Sequence, residues 1–65
     1  MKRAELIKRL RKLAKQRGVT FGIDEGGRGP HAKVWLGTRT LPLPRHTEIN
    51  ELTAKSILKH FERED

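Results

Sequence analysis

The sequence predicts a single small α+β domain in the order α-β-β-β-α. Three observations carry that reading. Apolar residues recur at helical spacing near both ends of the chain, they alternate at a period of two through the middle, and glycine- and proline-rich breaks separate the alternating runs.

Residues 3–17 form the first helical pattern: Leu6, Ile7, Leu10, Leu13 and Ala14 make one apolar stripe, while Lys8, Arg9, Arg11, Lys12 and Lys15 crowd the remaining surface. Glu5 stands one turn before Arg9, an orientation worth about 0.3 kcal/mol. Gly18 supplies the left-handed residue that ends the helix. From Val19 the period changes. Val19, Phe21 and Ile23 alternate with Thr20, Gly22 and Asp24, as in a half-buried strand. The run "EGGRGP" breaks it, and a second strand opens at His31, with Ala32, Val34 and Leu36 on one face and His31, Lys33 and Trp35 on the other.

"LGTR" offers a two-residue hairpin turn with Gly37 at the positive-φ position of type II′. If residues 36 and 39 pair, Trp35 meets Thr40, Val34 meets Leu41 and Ala32 meets Leu43, so the apolar residues of both strands share a face. Pro42 and Pro44 make this third strand an edge. After "RHTEI" the helical period returns through Ala54, Ile57, Leu58 and Phe61, with Asn50 or Thr53 as candidate cap. A three-stranded antiparallel meander with one greasy face can be covered by these two helices, which leaves its other face, the one carrying His31, open.

Fifteen Lys and Arg against eight Asp and Glu give +7 in 65 residues. Such a balance favours polyanionic partners, nucleic acid first. The chain has no cysteine, which excludes disulfides and thiolate metal sites. His31, His46 and His60 lack metal-ligand spacing, so no metal or other cofactor is expected. "MKRAELIKRL" holds no apolar run long enough for a signal peptide or a membrane span, and a cytoplasmic protein is the expectation. Ser56, the single serine, has no acid–base pair near it in sequence, and "GGRG" lacks the ending of a nucleotide-binding P-loop.

RNA cleavage needs less machinery than these. The substrate's own 2′-hydroxyl is the nucleophile, and one histidine suffices to take its proton, since imidazole exchanges protons near neutral pH. His31 is the candidate base. Arg28, Lys33 and Arg45 are the cations that would offset charge on the phosphorus, and Gly29 lies in a loop whose backbone amides could seat a phosphate. The acid for the leaving oxygen is not identified: a histidine, a lysine or water can serve. Trp35 can stack a base, dock a partner protein or cover the Pro42 ring. His46 reads as a loop or edge residue, His60 as a complement to the helix dipole, and Lys55 and Lys59 as a solvated helix face.

Four stretches in order resemble one family. "KRAELIKRLRKL" is similar to the opening helix, Gly29-Pro30-His31 to the Gly-Ser-His segment, "LPLPRHTEI" to the third strand and its turn, and "LTAKSILKHF" to the closing helix of the HicA toxin ribonucleases of bacterial HicA–HicB pairs. The resemblance covers about residues 2–61. It implies a double-stranded-RNA-binding-like fold, metal-independent cleavage of mRNA through the histidine matching His31, and a HicB-type antitoxin that covers the site. Two departures stand out: Pro30 replaces a serine and Leu52 a glycine.

Two other readings remain open. One is a non-enzymatic module that binds double-stranded RNA through Lys55 and Lys59 at the start of the second helix. The other is a scaffold that docks another chain on Trp35 and the open sheet face.

Overall fold

A computed structural model describes residues 1–27, 29 and 31–62; Arg28 and Pro30 lie outside the described residues. The order is α1 (Arg3–Arg17), β1 (Phe21–Asp24), β2 (His31–Leu36), β3 (Arg39–Pro44) and α2 (Glu51–Glu62). The sheet is antiparallel in the order β1-β2-β3.

α1 buries Leu6, Leu10 and Ala14, spaced by four, and ends where Gly18 turns left-handed at φ 67°. The Gly18 N–H returns to the Lys15 carbonyl and the Val19 N–H to the Ala14 carbonyl, a paired closure of the last turn. This closure corrects the sequence reading of the first strand. Val19 gives its N–H to the helix and stays exposed, so β1 begins two residues later, at Phe21.

The β2–β3 hairpin has the expected register, Leu36 with Arg39, Trp35 with Thr40, Val34 with Leu41 and Ala32 with Leu43. Gly37 has φ 62°, while Thr38 is not among the positive-φ residues, the pattern of a type II′ turn. Ala32, Val34, Leu36 and Leu43 therefore point at the helices and are buried. They meet Leu6, Leu10 and Ala14 of α1, Ile49, and Ala54, Ile57 and Phe61 of α2 in one core. Among the described residues no polar or charged residue is buried.

α2 is capped by Asn50, whose side-chain oxygen accepts the Leu52 N–H at 2.8 Å, while its carbonyl accepts the Ala54 N–H. The far end of α2 is closed by side chains from elsewhere: Arg17 donates to the carbonyls of Phe61 and Glu62, and Arg39 donates to that of His60. The chain start is tied to residues 47–49 by Arg3 N–H to Thr47 O and Ile49 N–H to Met1 O. In energy the core leads. Truncating a buried Phe or Leu costs about 2–5 kcal/mol, whereas an exposed ion pair such as Glu5–Arg9, at 3.9 Å, adds about 0.3–0.5 kcal/mol.

On the open face Trp35 settles across the strand pair onto Gly22. A methyl group built on Gly22 would stand 2.1 Å from the indole Cε2 and Cζ2. The ring lies over β1, which disposes of the reading in which it covers Pro42 of β3. Gly22→Ala should drive the ring off the sheet. Since Trp35 is the sole tryptophan, its emission should move to the red, and chemical denaturation should show a loss of about 1–3 kcal/mol. An unchanged spectrum and midpoint would contradict the close approach.

Candidate functional site

The open face is built by strand parity. Gly22 and Asp24 of β1, His31, Lys33 and Trp35 of β2, and Thr40, Pro42 and Pro44 of β3 all point away from the helices. His31 is exposed at the first position of β2, directly after the glycine loop, with Pro44 opposite it.

Two hollows meet at His31. One, about 400 Å³, is lined by Asp24, Gly27, His31, Lys33, Thr40 and Pro42. The second, about 530 Å³, runs from His31, Pro42 and Pro44 to Leu52, Thr53, Ser56 and His60 of α2. His31 thus borders a hollow shared by Lys33, Asp24 and Gly27 on one side and a histidine- and hydroxyl-lined one on the other. Among the described residues no group of three His, Asp or Glu is arranged to hold a metal ion.

The glycine loop is held rather than loose at its described start. The Asp24 carboxylate accepts the Gly26 N–H at 3.0 Å, and Arg3 pairs with Glu25 while its Nε donates to the Pro44 carbonyl. Arg45 places its two terminal nitrogens on the carbonyls of Glu25 and Gly27, at 2.9 and 2.8 Å. Its Nε is buried without a partner. A guanidinium fork suits this role, because one planar group can reach two carbonyls at once.

The sequence-selected residues therefore divide. His31 and Lys33 are brought together on one hollow, and Gly29 is exposed on the loop beside them. Arg28 lies outside the described residues. Arg45 is near but engaged with the loop backbone. Trp35 is on the same face, two residues beyond Lys33, half-buried over Gly22. Lys55 and Lys59 are exposed on α2, and neither lines the hollow that His31 shares with that helix. The polar residues of α2 that do line it, Thr53, Ser56 and His60, recur on one flank at i, i+3 and i+7, a helical repeat the sequence itself carries. What the repeat could not show is that this flank faces His31.

No protein-family model, curated protein or solved structure significantly matches this chain.

The loop geometry makes a direct prediction. Arg45→Ala should speed amide hydrogen exchange in the glycine loop by about tenfold while leaving the core amides protected, because only a local opening is made easier. Arg45→Lys, whose single nitrogen replaces the planar fork, should fall between the alanine variant and the natural chain.

Proposed function

We propose that this chain is a metal-independent RNA endonuclease of the HicA kind, an mRNA-cleaving toxin with His31 as its general base. The supporting observation is the position of His31: exposed, on the uncovered sheet face of a +7 chain, where a lysine-lined hollow and a second hollow meet. His31 takes the proton of a ribose 2′-hydroxyl. The 2′-oxygen then attacks the adjacent phosphorus, and the bond to the 5′-oxygen breaks, leaving a 2′,3′-cyclic phosphate. Lys33, together with Arg28, offsets the charge that builds on the phosphoryl oxygens. Base stacking on the outer side of Trp35 would hold the strand.

The departing 5′-oxygen needs a proton, and we assign its delivery to His60, on the far wall of the second hollow. The resemblance further supports a HicB-type antitoxin as partner and a cytoplasmic site of action. Among the described residues no helix is long and apolar enough to cross a membrane.

One observation favours a second reading. Lys55 and Lys59 display their charge away from the His31 hollows, as a module that grips duplex RNA without cutting it would require.

The test is cleavage of single- and double-stranded RNA in EDTA with analysis of the product ends. Cyclic phosphate ends are expected with the natural chain, and His31→Ala should lower the rate by about a hundredfold or more. Intact RNA from the natural chain, with salt-sensitive duplex binding, would select the second reading. For His60 the expectation is sharper. His60→Ala should slow cleavage of RNA by about a hundredfold yet spare a uridine 3′-(4-nitrophenyl phosphate), whose leaving group departs without a proton. Equal losses on both substrates would remove His60 from the mechanism.

A further inference from the structure

The two edges of the sheet differ, and the hairpin turn fixes how. In a two-residue hairpin the flanking residues exchange both backbone hydrogen bonds, so Leu36 and Arg39 point their N–H and C=O groups at each other. Alternation then sends the backbone groups of Leu36, Val34 and Ala32 toward β3, and those of Trp35, Lys33 and His31 toward β1. The bond from Gly37 N–H to the Thr20 carbonyl, 2.7 Å, fits this parity, since the next residue after Leu36 turns to the β1 side.

On β3 the outward positions are Thr40, Pro42 and Pro44. Two of these have no N–H, and the Pro44 carbonyl is taken by Arg3. That edge is closed to another strand. On β1, Gly22 and Asp24 face β2, so Phe21 and Ile23 direct their N–H and C=O groups outward. No proline, bulge or inward charge blunts this edge.

Charge decides what fits it. Arg11 lies over the Phe21 ring at 5.5 Å, and Lys8 and Lys15 continue the same side of α1 at helical spacing. Among the described residues none of these three has a carboxylate within 4 Å. A second copy of this chain would bring an identical basic stripe against them. We propose that the outer edge of β1 is a docking site for an extended acidic segment of another protein, which adds a fourth strand beside β1 and sets its carboxylates against Lys8, Arg11 and Lys15. This inference does not depend on the reading of His31, which points away from that edge on the open face.

A chain of 65 residues can be made by chemical synthesis, which allows a backbone change that leaves every side chain in place. The probe is a short acetylated, amidated peptide alternating glutamate with valine, added to isotope-labelled protein and followed by amide NMR. Binding should move the amide protons of Phe21 and Ile23 downfield and protect them from exchange, with Thr40 unaffected. N-methylation of Ile23 should weaken binding by about tenfold or more, whereas N-methylation of Thr40, on the closed edge, should not. Lys8→Gln, Arg11→Gln and Lys15→Gln combined should weaken it and flatten its salt dependence. Binding that leaves the Phe21 and Ile23 amides unmoved, or no binding at about 1 mM peptide, overturns the proposal. So does a response of those amides to an RNA oligonucleotide and not to the peptide, which would make the edge part of a nucleic-acid surface.

Discussion

The two-residue turn at Gly37 and Thr38 sets the parity on which the rest of the molecule depends. Because side chains alternate strictly along a strand, a slip of one residue would move Ala32, Val34 and Leu36 out of the core and bring His31, Lys33 and Trp35 into it. A side-chain-bearing residue at position 37 would have to adopt φ near 62°, which costs more than a surface position can recover. The same parity decides which backbone groups point out of the sheet. Core, open face and sheet edges are thus consequences of one turn and one register.

Size explains why a face is left open. Two helices of 15 and 12 residues cover one side of a three-stranded sheet and no more. With so few residues, the core reaches full burial at Leu6, Leu10, Val34, Leu43 and Phe61 only by gathering both helices on that side. The uncovered side must then carry residues that tolerate water, and these are where chemistry can sit. His31 is exposed because the first position of β2 faces that side. What distinguishes it from an ordinary strand residue is its neighbourhood: a glycine segment whose carbonyls at Glu25 and Gly27 are held by Arg45, Lys33 two residues on, and the flank of α2 beyond Pro42 and Pro44.

Much of this was legible in the sequence, because period and turn chemistry are local. The limits of α1, the start of β2 at His31, the hairpin register and the apolar stripe of α2 all follow from spacing. The misses have a common cause in contacts between residues far apart in the chain. Val19 looks like the first residue of a strand by alternation, but its N–H is claimed by the helix that precedes it. Trp35 has Gly22 as its platform, and only the β1–β2 register, across a glycine loop of unpredictable length, brings them together. Arg45 reads as a free cation in "PRHTE", yet its fork closes on carbonyls some twenty residues earlier. His60 reads as a helix-end charge, which its place in the last turn of α2 bears out, but that it lines one hollow with His31 is visible only once α2 is packed.

The arginines show how a net charge can mislead about partners. Arg3, Arg17, Arg39 and Arg45 each donate to a backbone carbonyl elsewhere in the fold, two of them closing the end of α2 and two binding the segments around the glycine loop. Every lysine, by contrast, is exposed. The division follows from the side chains: a planar fork with several fixed donors can satisfy carbonyls that a thin core leaves at its rim, while a flexible, strongly hydrated ammonium stays in water. Bonding to neutral carbonyls leaves each arginine its full charge but fixes its position, and the remaining exposed charge is placed differently. It concentrates along Lys8, Arg11, Lys12 and Lys15 of α1, at Lys33 beside His31, and at Lys55 and Lys59 of α2. Among the described residues, the exposed lysines beyond Lys2 fall on α1, on β2 and on α2.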